Sequence, residues 1–233
     1  GNAGAAHVFL MLYEIIPDKS YLNLAERAIN LLEKAAEKQQ NGIGWITEKG
    51  IPPMAGAAHG NSGIMMPLVL LWALTSKRKY EQLAERVWEY EESMYCREIN
   101  NWMDVREGEQ RADETGPMAW CHGAPGILYS RMECLKYTED PKWKSRFETD
   151  MRRAYQKLEE YWRRDSWCLC HGICGNFWIL EKASAVLEEG KIMYSQYFRK
   201  EEVCLLPQEK VNPGLLNGYC GVLLCLIETH NKL

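Results

Sequence analysis

No Cys-x-x-Cys pair occurs in these 233 residues, although nine of them are cysteine. A metal or redox reading therefore has no short motif to rest on. Positive charge is not in excess: 28 Lys and Arg face 32 Asp and Glu, a formal net charge of −4. That removes the basic footprint of a nucleic-acid binder and the polybasic patch of a membrane-surface protein. No apolar run is long enough for a transmembrane segment. The longest, from Gly63 to Trp72 and a little beyond, predicts a buried helix. No signal peptide is visible. Nine cysteines without one point to reduced thiols in the cytoplasm rather than to disulfides with one cysteine left over. There is no initiating Met, and the opening "GNAGAAHVFLMLYEI" already lies inside an apolar helical pattern. It reads as a fragment whose natural start lies upstream.

What is present is a repeat. Gly-x-x-Gly recurs as Gly1/Gly4, Gly60/Gly63, Gly123/Gly126, Gly172/Gly175 and Gly218/Gly221. Each pair leads into a strongly apolar stretch, such as "IMMPLVLLWAL" or "VLLCLIETH", as a helix buried on most sides requires. Amphipathic stripes at helical spacing follow. One is Leu22, Ala25, Ile29, Leu32 and Ala36; the next is Tyr80, Leu83, Val87, Tyr90 and Met94. The third is Trp143, Phe147, Met151, Ala154, Leu158 and Tyr161, opened by Asp140 as N-cap and Pro141 at the first helical position. Pro67 marks the first turns of its helix or a kink. Start-to-start spacings of roughly 45–65 residues exceed common helical repeats, and the excess sits in Pro-, Gly- and Asn-bearing loops that suit short hairpins. The length fits one sizeable domain, residues 1–233. Apolar inner helices alternating with amphipathic outer ones favour an all-α, α/α toroid, with the Gly pairs together at one end. Glycine at most of these positions serves close backbone approach.

A repeat turns sequence equivalence into spatial equivalence. The residues before each first glycine are Ala58-His59, Cys121-His122, Cys170-His171 and Asn217. In a toroid they occupy matching places, so Cys121 and Cys170 face one another. Two thiolates and an imidazole suit zinc, and three protein ligands leave a fourth, catalytic position open. His122 and His171 are equivalent candidates for that imidazole. Cys96, Cys134, Cys204 and Cys225 read as incidental or core residues, and Cys168, Cys174 and Cys220 as decoys near the site. His7 and His230, away from the Gly pairs, read as core or surface residues.

"GAAHGNSGI", "AWCHGAPGI", "LCHGICGN" and "PGLLNGYCGVLLCLI", in this order, resemble the lanthipeptide cyclase family, LanC. The His after the first Cys and the opening "GNAG" are more similar to the cyclase domain of the bifunctional class II synthetases, LanM. The resemblance spans essentially the whole chain. It implies a toroid of seven inner and seven outer helices, of which five repeats lie here. It implies a zinc held by Cys121, Cys170 and His171, an active-site role for His59, and a polar neighbouring role for His122, which stands where stand-alone cyclases usually have Tyr. The family's active-site Asp would precede Gly1 and has no counterpart in this chain.

The implied reaction adds a cysteine thiol of a dehydrated precursor peptide to dehydroalanine or dehydrobutyrine in the same peptide. A free cysteine is only a few per cent thiolate at neutral pH, and zinc coordination removes that handicap. His59 is the candidate general acid for the resulting enolate. In a LanM the expected partners are the peptide and an upstream dehydratase domain. Two other readings remain: addition of glutathione to dehydrated residues, as in the eukaryotic LanC-like proteins, and a non-catalytic zinc-stabilised helical module. The charged loop from Arg97 to Trp120 reads residue by residue as solvated, though it could line an entrance. The basic Lys144–Arg164 segment reads as the solvated face of an outer helix.

Overall fold

The computed structural model describes residues 1–106, 116–160, 166–189 and 212–230, without the side chains of Thr229 and His230. Tyr161, Cys204, the His230 side chain and the middle of the Arg97–Trp120 loop lie outside the described residues.

Five helices start at the five Gly pairs: α1 (Asn2–Ile15), α3 (Asn61–Thr75), α5 (Ala124–Leu135), α7 (Ile173–Val186) and α8 (Tyr219–His230). They pack side by side in chain order and form the inner row of an α/α toroid. Among the described residues three amphipathic helices back them: α2 (Lys19–Ala35) on α1, α4 (Arg78–Ser93) on α3, and α6 (Pro141–Glu160) on α5 and α7. The inner helices are apolar on several sides because they are covered on several sides. In α3 four consecutive residues, Leu68 to Leu71, are fully buried. Pro67 falls in the second turn of α3, and the helix runs through it to Thr75. The end helices of the row each leave apolar residues exposed: Val8, Met11 and Ile15 on α1, Leu223, Leu224 and Ile227 on α8.

The outer stripes face inward as their spacing demands. Ile29, Val87, Phe147 and Met151 are fully buried, and Trp143 nearly so. Each of the first two outer helices is followed by a short antiparallel hairpin: β1 (Glu37–Lys38) with β2 (Ile43–Gly44), and β3 (Tyr95–Cys96) with β4 (Asn101–Trp102). Fully buried Trp102 anchors the second hairpin, and Lys157 of α6 donates to the Ile99 carbonyl at its turn, 2.8 Å away. Asn61, at the start of α3, donates to the Ile43 and Val87 carbonyls, tying the first hairpin and α4 to the inner row.

Asp140 caps α6 as its sequence requires: Oδ1 accepts from the Lys142 and Trp143 backbone N–H groups at 2.9 and 3.1 Å. Asp140→Ala is expected to cost about 1 kcal/mol of stability, read from the shift of a urea unfolding midpoint at constant slope. An unchanged midpoint would contradict the capping role.

Candidate functional site

Backbone hydrogen bonds stitch together the loops that precede successive inner helices. Ala57 N–H donates to the Trp120 carbonyl at 3.1 Å, and the Ala58 and His59 N–H groups share the Cys121 carbonyl at 3.3 Å each. Trp120 N–H donates to the Cys170 carbonyl, and Cys170 N–H to the Leu216 carbonyl, both at 2.9 Å. This ladder runs through four loops and carries both cysteines on it. Asn176 of α7 adds a cross-tie to the Met118 carbonyl at 3.0 Å.

The second glycine of each Cys-His-Gly-x-x-Gly motif makes the ladder possible. A Cβ on Gly126 would collide with the Trp120 carbonyl oxygen, and one on Gly175 with the Leu169 carbonyl oxygen. Each oxygen belongs to the residue six positions earlier, just before the cysteine. The glycines let the loop lie flat on the helix start.

The side chains meet at one end of the row. Cys121 is buried and Cys170 half-buried, and the Cys121 thiol is near enough to act on the ionisation of Cys170. Burial first, then the neighbouring Cys121 thiol, push Cys170 up to about 12. His122 places Nδ1 3.0 Å from Cys121 Sγ and Nε2 3.3 Å from Arg106 Nη1. Burial, followed by the Arg106 guanidinium, pushes the His122 imidazole down to about 4. His59 stacks on His122 with ring centroids 4.9 Å apart and planes 20° from parallel. His171 lines the same cavity, of about 320 Å³, together with Arg106, Pro117, Met118, Ala119, Cys121 and His122. All five residues singled out in the sequence therefore converge on one place.

The other cysteines sort differently. Cys168 is buried beside the site, where its sulfur accepts from His171 N–H at 3.4 Å. Cys174 and Cys225 meet in the apolar contact between α7 and α8, 3.4 Å separating Cys225 Sγ from the Cys174 carbonyl. Cys134 is buried in the core, Cys96 lies against Glu98, and Cys220 is exposed. His7 is partly buried on α1 and is not among the residues lining the cavity. For zinc, the donor chemistry fits: two neighbouring thiols, Cys121 and Cys170, and the His171 imidazole that lines the cavity with Cys121 are soft and borderline ligands of the right kind. Among the described residues, however, no three His, Cys, Asp or Glu side chains are yet drawn together around a common point.

Two parts of the site were not expected from the sequence. One is the Asp104–Arg106 pair, delivered by the chain just after β4. The other lies beneath the His59 loop, where Glu91 of α4 is fully buried. It accepts from Gly56 N–H at 3.3 Å, Ser62 N–H at 3.0 Å and the Ser62 hydroxyl at 2.8 Å. Arg131 of α5, also fully buried, bridges Glu91 at 2.6 Å and Asp150 of α6 at 2.9 Å. Glu91 follows Val87 by four positions and Asp150 follows Phe147 by three. Each charge therefore interrupts an otherwise apolar stripe, and that was the available signal.

The family model described as "Lanthionine synthetase C-like protein" matches residues 1–232. A curated relative, the lacticin 481/lactococcin biosynthesis protein LcnDR2 of Lactococcus lactis subsp. lactis, is 29% identical over 75% of this chain and 20% of its own length. This chain thus spans about a fifth of that relative. Among solved structures, nisin cyclase matches with a TM-score of 0.70 at 19% identity, covering 99% of this chain and 62% of that one. A cellobiose 2-epimerase from Bacillus thermoamylovorans matches with a TM-score of 0.58 at 14% identity, over 84% of this chain and 57% of the other. The structural likenesses are likenesses of fold.

Proposed function

The chain belongs to the lanthionine synthetase C-like family, and on that footing we propose that it closes thioether rings in a dehydrated precursor peptide. The observation that carries this reading is the approach of Cys121 and Cys170, 49 residues apart in sequence, on hydrogen-bonded neighbouring loops, with Cys121, His122 and His171 lining one cavity. The helical epimerase shares the fold only.

In the proposed reaction a peptide cysteine gives up its S–H proton, its sulfur bonds the β-carbon of dehydroalanine or dehydrobutyrine, and a proton is returned to the α-carbon. The product is an isomer of the substrate, so no oxidant or leaving group is needed. Zinc held by Cys121, Cys170 and His171 would supply what the thiol chemistry lacks, a sulfur that is ionised at neutral pH. The chain's own groups do the rest. The ladder fixes Cys121 and Cys170 against rotation of their loops. Glu91 holds the Gly56–Ser62 segment through three hydrogen bonds and so places His59. His59, exposed and stacked on the His122 ring that lines the cavity, carries the proton that a ring nitrogen delivers to the α-carbon. An upstream dehydratase domain is the natural source of the dehydrated peptide, and the cytoplasm a setting that keeps these thiols reduced. No helix among the described residues is long and apolar enough to cross a membrane.

His59→Ala in the full-length protein is expected to slow ring formation about 10²–10⁴-fold with little change in stability, because the side chain is exposed. The measurement is the loss of alkylatable thiols from a dehydrated precursor peptide, with the configuration of the product determined alongside. An unchanged rate and configuration would remove His59 from the chemistry.

A further inference from the structure

We propose that Arg106, braced by Asp104, fixes His122 in the tautomer that donates from Nδ1 to the Cys121 sulfur. His122 then steadies the thiolate and is not a proton shuttle. The functional part of this rests on the cyclase reading above; the tautomer does not.

The argument is one of donors and acceptors. A guanidinium has donors only and stays charged. Arg106 Nη1 lies 3.3 Å from His122 Nε2, so that nitrogen must offer its lone pair. A neutral imidazole then carries its single proton on the other nitrogen. His122 Nδ1 lies 3.0 Å from Cys121 Sγ, which leaves the sulfur as acceptor. Hydrogen bonds from a ligand's surroundings of this kind orient it and tune its electron density.

The geometry is held from behind. Asp104 Oδ1 accepts from the Arg106 backbone N–H at 3.1 Å and from Nε at 2.8 Å, and Oδ2 accepts from Nε at 3.1 Å and from Nη2. This fork occupies one edge of the guanidinium and turns Nη1 toward His122. Asp104 itself follows β4, whose Trp102 is fully buried and so gives the arm a rigid base. On the ring face, His59 stacks at 4.9 Å and limits tilting of the imidazole. Asp104 and Arg106 are thus positioning residues acting through His122. The two histidines, alike in their place before a glycine, separate by role: His59 has its ring nitrogens available for proton transfer, and His122 has both committed.

The test is the nitrogen NMR spectrum of the full-length protein labelled with ¹⁵N-histidine at neutral pH. His122 signals are assigned by their loss in His122→Gln. The expected spectrum has Nδ1 protonated and Nε2 unprotonated. Arg106→Met is expected to move the ring toward the Nε2–H form that free imidazole side chains prefer, Arg106→Lys to keep the wild-type pattern, and ring formation in Arg106→Met to fall about 10–100-fold. An Nε2–H signal in the wild type, or a pattern unmoved in Arg106→Met, overturns the proposal. If Arg106→Met does not fold, the wild-type tautomer still decides, with Asp104→Asn as the second variant: a shift toward Nε2–H supports the relay and no shift opposes the bracing role. Because the spectrum is read without turnover, failure here and failure of the cyclase reading are separate results.

Discussion

Cys121→Ala and Cys170→Ala, made singly in the full-length protein, are each expected to cut thioether formation at least about 10³-fold. Two losses combine. The substrate sulfur reverts to the few per cent ionisation of a free cysteine at neutral pH, and it loses its fixed position beside the acceptor. Bound zinc is expected to fall from about one per chain to near zero in both variants, since two ligands rarely hold the metal that three or four do. The thiols sit on loops held by backbone hydrogen bonds that alanine preserves, so the melting temperature of the metal-free protein should move little. Cyclisation at the wild-type rate in Cys170→Ala, with the protein folded, would rule out the paired-thiol mechanism.

The second large effect is on stability. Arg131→Met removes the guanidinium that bridges Glu91 and Asp150, all three groups being essentially fully buried; Asp150 keeps Arg153 at 3.7 Å and the Trp88 indole N–H, whereas Glu91 loses its cation. Removing one partner of such a network costs about 3–5 kcal/mol, or roughly 6–20 °C in melting temperature for a chain of this size. The complementary variant is informative. Replacing Glu91, Arg131 and Asp150 together by apolar residues is expected to recover part of the loss, as buried ion pairs often tolerate. It should not recover all of it, because the Gly56 and Ser62 N–H groups would lose their acceptor. Differential scanning calorimetry of the single and triple variants checks both statements. A single variant within about 1 kcal/mol of wild type would mean that the network is not structural.

The reach of the sequence followed the range of the forces involved. Outer-helix stripes such as Tyr80–Leu83–Val87–Tyr90 were legible because helical periodicity is a local property, and the same stripe is buried in the fold. The Asp140 cap was legible for the same reason. The meeting of Cys121 with Cys170 was legible only through the repeat, which converts matching register into proximity. What escaped was set by non-local geometry. Arg106 reaches His122 because the β3–β4 hairpin swings its chain across the cavity, and nothing periodic encodes that turn. Glu91 and Asp150 carried a local signal, a charge within an apolar stripe, but their common partner Arg131 lies on another helix. The equivalence of His122 and His171 dissolves in the structure. His122 touches Cys121 through Nδ1, whereas His171 is held at its backbone by Cys168 and faces the cavity.

The most direct test is a thiol count without a mass change. A dehydrated precursor peptide is incubated with the full-length protein, its remaining cysteines are alkylated, and the product is weighed. Ring formation by isomerisation predicts that alkylatable thiols disappear one by one while the unalkylated peptide mass stays constant, and that this stops in Cys121→Ala. If all thiols remain alkylatable with the wild-type protein folded and metal-loaded, the cyclase account is contradicted. Loss of thiols accompanied by added mass from a small thiol such as glutathione in the mixture would contradict ring closure in a different way, assigning the site to intermolecular addition.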